Sequence, residues 1–183
     1  TAAPATPPPT APMVAKAAKF KQPGMAITDH GNMSGAFQLY RACHNHGILP
    51  FPGVEAYLVD DLDQKDGKRY HITLLALTTD GYKTLVGLCS QSHLRENYHY
   101  KSRISLSDLA ELSHEGKAAG LACLTGCFFG RVQQALVTHG DKEATRIAKM
   151  LAGWFPHTYV EIQHHHTDHG EDFGWTDDDL AVS

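Results

Sequence analysis

The chain has 183 residues, 42% of them hydrophobic and 20% charged, which is enough apolar material for one sizeable core and argues against disorder. A formal net charge of -4 excludes a general cationic field for gripping nucleic acid, so any such contact is local or belongs to other parts of a larger protein. The sequence shows no apolar run of the roughly 18 residues a membrane span needs, and no signal-peptide pattern. Its four cysteines, Cys43, Cys89, Cys123 and Cys127, are too scattered for a disulfide framework, so a reducing cytoplasm is expected, with no membrane partner.

Residues 1–11 are almost wholly Ala, Pro and Thr, with Pro7, Pro8 and Pro9 in a row, and are read as an extended or disordered start. Residues 12–183 are read as one domain. A helical pattern carrying Met13, Val14, Ala17 and Ala18 stops near Pro23-Gly24. Residues 25–28 form a short apolar run, a buried strand, that breaks into the turn Asp29-His30-Gly31-Asn32. Ser34 is the expected cap of a helix with Phe37, Leu39, Tyr40 and Cys43, ending at Asn45-His46-Gly47. Residues 54–59 and 70–78 read as a hairpin around a charged loop turning at Asp66-Gly67. A helix over 80–94, a segment over 97–105 and a short helix capped by Ser107 follow. Then come a buried strand over 120–125, helices near 129–137 and 142–154, and a last strand over 158–163. Strands alternating with helices predict an α/β fold with a mainly parallel sheet. Both ends read as severed: Thr1 is no initiator methionine, and Thr176-Asp177-Asp178-Asp179 is a helix start with almost nothing after it.

Among 13 histidines, the informative ones stand where strands end, the place where α/β barrels carry their chemistry. His30 follows one apolar run, Cys127 another, and His164, His165, His166 and His169 a third. Glu55 and His71 lie inside apolar strands, where an uncompensated charge or bare imidazole is costly. Imidazole, carboxylate and thiolate are the donors that hold zinc or a similar divalent ion. Each residue alone also has a plainer reading. His30 could be a hydrogen-bonded loop residue, Glu55 the partner of a lysine, Cys127 a small buried hydrophobe, and the His164 to His166 run a solvated feature. His44, His46, His93, His99, His114, His139 and His157 read as surface.

The stretch Ala26-Ile27-Thr28-Asp29-His30-Gly31-Asn32, a helix, and then Gly53-Val54-Glu55-Ala56-Tyr57 resemble the PHP (polymerase and histidinol phosphatase) domain of bacterial DNA polymerase III α subunits. The resemblance runs on through Tyr70-His71-Ile72-Thr73-Leu74-Leu75-Ala76, Gly81-Tyr82, Tyr100-Lys101-Ser102-Arg103-Ile104, Leu124-Thr125-Gly126-Cys127 and Tyr159-Val160-Glu161-Ile162-Gln163. It implies an incomplete form of a distorted, TIM-like (β/α) barrel of about seven units with metal ions at its mouth. Carried over by position, it implies His30, Glu55, His71 and Cys127 as ligands of zinc or manganese, and Asp29 as a residue that orients the site. Lys101 and Arg103 are candidates for touching phosphate, or two solvated loop charges. Implied partners are DNA, met through a parent DNA-directed DNA polymerase, and a proofreading exonuclease subunit or other replisome components.

Two parts of the family pattern are missing. No histidine precedes His30, where the family carries His-x-His, and a later Asp-x-His is not reached; Asp168-His169 comes too early. Three functions follow. One is a fragment of a replicative polymerase with metal-dependent phosphoesterase or 3′–5′ proofreading exonuclease chemistry in intact relatives. A second is a degenerate, non-catalytic scaffold. A third is a stand-alone phosphoesterase acting on a small phosphate ester.

Overall fold

A computed structural model of the chain describes residues 10–65 and 67–163. Helix α1 (Thr10–Lys19) leads into strand β1 (Gly24–His30), helix α2 (Ala36–His46) and the long strand β2 (Leu49–Val59). Strand β3 (Tyr70–Ala76), helix α3 (Thr79–Ser92), strand β4 (Arg103–Ser105) and helix α4 (Leu106–His114) follow. A 3-10 turn (Lys117–Gly120), strand β5 (Leu121–Leu124), helices α5 (Arg131–His139) and α6 (Asp141–Trp154), and strand β6 (His157–Tyr159) complete the order. No helix among the described residues is long and apolar enough to cross a membrane.

The strands make one sheet in the order β1-β2-β3-β5-β6, with β4 also against β2. β1 and β4 run parallel to β2, and β6 runs parallel to β5, while β3 is antiparallel to both its neighbours. Among the described residues five strands therefore point one way and β3 alone is reversed. The expected hairpin explains this, because the short loop from β2 to β3 cannot make the crossover a parallel pair requires. Asp60, in that loop, is held by Arg131 of α5 through Nε to Oδ1 at 2.9 Å and Nη2 to Oδ2 at 3.3 Å.

Period-two alternation sorts the central strands into two faces. Val54, Ala56 and Leu58 of β2 and Tyr70, Ile72, Leu74 and Ala76 of β3 are buried in the main core, with Leu85 and Leu88 of α3 and Ile147 and Leu151 of α6. The residues between them, Glu55 and Tyr57 on β2 and His71 and Thr73 on β3, are half-buried on the other face. Register pairs Glu55 with Thr73 and Tyr57 with His71. A smaller cluster of Val14, Leu39, Ala42 and Cys43 joins α1 to α2. Pro50 and Pro52 are tolerated in β2 because that half of the strand pairs only with β1. Leu49 donates its N–H to Pro23 O on the β1 side, so the alternating prolines lack N–H groups only toward the unpaired side.

The local readings needed some correction. β1 extends through Asp29 and His30, which therefore belong to the strand rather than to the turn after it. Ser34 does not cap α2. Its own N–H donates to Asn32 Oδ1 at 2.9 Å, and the Gly35 N–H beside the helix start donates to Asp29 Oδ2 at 2.7 Å. α4 is capped by Ser105 rather than Ser107, in a reciprocal box with Asp108. β6 is shorter than expected because the Glu161 N–H turns to Thr125 Oγ1 at 3.0 Å. The sheet is parallel-rich as expected. Among the described residues β1 pairs only with β2, and β6 only with β5, so both edges of the sheet are open. The tract over 1–9, Asp66, His164 to His166, Asp168, His169 and the helix start over 176–179 lie outside the described residues.

Candidate metal centre

Reversal of β3 brings the site together. Its first residues lie at the end of the sheet where β1 and β5 finish, so His71 meets side chains from strand C-termini although it stands near a strand start. His30, last in β1, is in register with Glu55. Cys127 follows β5, whose Leu124 is in register with Thr73.

Candidate donor atoms of Glu55, His71 and Cys127 all lie within 4.8 Å of one another. His71 Nδ1 is 2.8 Å from Glu55 Oε1 and 3.3 Å from Cys127 Sγ, so this nitrogen points into the cluster. His30 Nδ1 is 3.5 Å from Glu55 Oε2, and its side chain is 61% exposed, against 20% for Glu55 and 22% for His71. Three side chains thus converge, and the fourth lies at the rim. Burial holds the Cys127 thiol above its ordinary pKa; the Phe129 backbone N–H lowers it and the Glu55 charge raises it. This mixed carboxylate, imidazole and thiol set fits a divalent cation of the zinc type, whose binding would compensate the half-buried Glu55 carboxylate and hold the thiolate.

The other site candidates divide. Asp29 accepts the Gly35 N–H, so its carboxylate anchors the turn after β1 beside the start of α2. Lys101 is exposed, with Nζ 5.5 Å above the Tyr57 ring centroid. Arg103 requires correction as a phosphate contact. It is 1% exposed and donates from Nε to Asn97 O at 2.9 Å, from Nη1 to Gln64 O at 3.3 Å and from Nη2 to Leu62 O at 2.9 Å. Its guanidinium ties the β2–β3 loop to the segment before β4. Burying a bare cation would be expensive, and the three carbonyls are what make the position tolerable. Of the histidines read as surface, His99 is half-buried and the rest are exposed.

Several residues that build the site were not singled out from the sequence. Tyr57 lies under His30 (ring centroids 6.2 Å apart, 20° between planes) and beside His71 at 5.5 Å. Phe129 packs beside His71, with ring centroids 6.0 Å apart, and its backbone O accepts the His71 N–H at 3.0 Å. Gln133 Nε2 reaches Thr125 Oγ1 at 2.9 Å, Gly126 O at 3.1 Å and Glu161 O at 3.1 Å, fixing the turn that carries Cys127. Gly126 has φ 84°, and a Cβ there would sit 2.6 Å from His71 O. Only period-two counting along β2 could have flagged Tyr57, which shares a face with Glu55.

This parallel-rich sheet, with ligand-type side chains gathered where its strands end, is the frame of a PHP-type (β/α) barrel, and the PHP domain family matches residues 8–165. The chain belongs to the PHP domain family. Among curated relatives it is similar to DNA polymerase III subunit alpha of Borreliella burgdorferi, 33% identical over 84% of this chain and 13% of that protein. The corresponding subunit of Thermus aquaticus is 34% identical over 79% of this chain and 12% of that protein, and that of Campylobacter jejuni 35% identical over 77% and 12%. The chain therefore spans only a small part of these relatives' length. Among solved structures, an amidohydrolase from Chromobacterium violaceum covers 74% of this chain and 47% of its own at 17% identity and a TM-score of 0.34, too remote to carry weight.

Proposed function

We propose that this PHP domain serves DNA replication as part of a DNA polymerase III α subunit. We propose further that Glu55, His71 and Cys127, with His30 at the rim, hold a divalent metal ion for phosphoester hydrolysis. Convergence of a carboxylate, an imidazole and a thiol within 4.8 Å supports the metal reading more than any other observation. Such an ion, when bound, supplies Lewis acidity that activates water and stabilises developing charge on phosphate. Glu55 and His71 present the donor atoms, Asp29 steadies the end of β1 that carries His30, and Gln133 steadies the Cys127 turn. Thiolate among the donors favours zinc over manganese. Polymerisation, DNA binding by the whole protein, and contact with a proofreading exonuclease subunit or other replisome components are proposals that rest on the relatives.

A second reading, a non-catalytic PHP scaffold, is favoured by one observation. Glu55 and His71 already satisfy each other at 2.8 Å. Elemental analysis of the purified chain decides between them, run beside His71→Ala and Cys127→Ala with circular dichroism to check folding. Stoichiometric zinc or manganese that is lost in both variants supports the metal centre, and a nuclease assay on single-stranded DNA then follows. Equal, negligible metal in three folded proteins overturns it in favour of the scaffold.

A further inference from the structure

Three rings close a triangle at the cluster, and two of them belong to candidate ligands. His30 and His71 have ring centroids 5.8 Å apart, and the Tyr57 ring stands 6.2 Å from the first and 5.5 Å from the second. Strand pairing fixes this placement. Tyr57 is in register with His71 across β2 and β3, and period-two alternation keeps it on the face that carries Glu55. The two imidazoles are held very unequally. His71 is half-buried, with Nδ1 2.8 Å from Glu55 Oε1 and 3.3 Å from Cys127 Sγ. His30 is exposed, and its Nδ1 stops 3.5 Å from Glu55 Oε2, beyond an ordinary hydrogen bond. The backbone beside His30 is nevertheless pinned, because the Gly31 N–H donates to Glu55 O at 2.9 Å and Ser102 Oγ donates to Gly31 O at 3.1 Å. What these bonds leave open is the rotation of the imidazole itself.

Tyr57 supplies that constraint. Its ring plane is 20° from that of His30, the stacked arrangement that aromatic pairs favour, whereas it meets His71 at 71°. Tyr57 also lies against the chain just past His30, since a Cβ on Gly31 would stand 3.3 Å from Tyr57 Cε2. The Lys101 ammonium comes within 5.5 Å of the same ring centroid, a cation–π contact that steadies Tyr57 in turn. We infer that Tyr57 is a positioning residue, whose ring face holds the His30 imidazole with Nδ1 toward Glu55 so that this rim histidine joins the metal site. The ring does this and the hydroxyl takes no part. A free surface imidazole must give up rotamer freedom when it binds an ion, and stacking on Tyr57 meets that loss before the ion arrives. This inference deepens the metal reading given above and rests on it.

The test takes two readouts on the full chain, with circular dichroism to confirm folding of each variant. Histidine ring protons are first followed by NMR in a chelator, so that no metal contributes, with His30 assigned by the signals lost in His30→Ala. The Tyr57 ring current should displace the His30 resonances from their ordinary positions in the parent chain and in Tyr57→Phe, and Tyr57→Leu should return them. Zinc is then titrated in competition with a chromophoric chelator. Affinity should fall about fivefold in Tyr57→Leu and hold in Tyr57→Phe. In a His30→Ala background, Tyr57→Leu should cost nothing further. Ordinary His30 resonances in the parent chain, or displaced ones that Tyr57→Leu leaves in place, would overturn the proposal. So would zinc affinity that is equal in the parent and Tyr57→Leu, lost equally in Tyr57→Phe, or lowered by Tyr57→Leu as much without His30 as with it. The two readouts separate the claims. No zinc bound by the parent chain removes the metal centre while the His30 resonances still decide whether Tyr57 holds that ring. Zinc bound with His30 resonances untouched by Tyr57→Leu removes only the positioning role.

Discussion

Single residues in this domain divide between those that could act and those that hold others in place, and Arg103 shows how sharply burial decides which. A guanidinium on a loop is available to phosphate. One that is 1% exposed and committed to Asn97 O, Gln64 O and Leu62 O is a fastener. Arg103→Ala would strand three carbonyls and leave a cavity, and should cost on the order of 3 kcal/mol in urea unfolding. Arg103→Lys should recover only part of that, because an ammonium cannot reproduce the planar fork. Gln133 is the corresponding fastener for the Cys127 turn. Gln133→Ala should lower metal affinity by about tenfold in a competition titration while leaving the circular dichroism spectrum unchanged, as expected for a residue that orients a ligand.

At the scale of elements, caps and close approaches set where chain segments begin and turn. Ser105 and Asp108 satisfy the start of α4 reciprocally, so Ser105→Ala should cost about 1 kcal/mol, read from the shift in the unfolding midpoint. Gly126 lies between β5 and Cys127 with a positive φ and with His71 O against the place a Cβ would occupy. Gly126→Ala should therefore do more than strain a turn. It should push the Cys127 segment away from β3 and reduce metal content together with stability, an outcome visible when both are measured on one preparation.

For the whole molecule, the core carries a pH dependence of its own. Burial pushes the Cys123 thiol up to about 12 and the Cys89 thiol up to about 11, from an ordinary value of 9.0. Above pH 9.0 the unfolded chain releases these protons while the folded chain keeps them, so the native state binds more protons and stability falls as pH rises. The loss starts near the unfolded value and is complete once pH passes the folded values. Urea midpoints should drop from about pH 9 to about pH 11, and the drop should be shallower in Cys123→Ala. Most of the order of helices and strands (β4 excepted), the β2–β3 hairpin and the residue types of the candidate metal site were legible in the sequence, because periodicity and donor chemistry are local properties of a chain. Which donors meet was not. The shared register of His30, Glu55, Thr73 and Leu124 and the burial of Arg103 arise from pairing and packing between distant segments, and so do the placements of Tyr57, Phe129 and Gln133 around the cluster. The sequence by itself determined an α/β chain with metal-type side chains near its strand ends. Only the tertiary structure decided that Glu55, His71 and Cys127 converge while His30 stays at the rim, because convergence depends on contacts that no local pattern records.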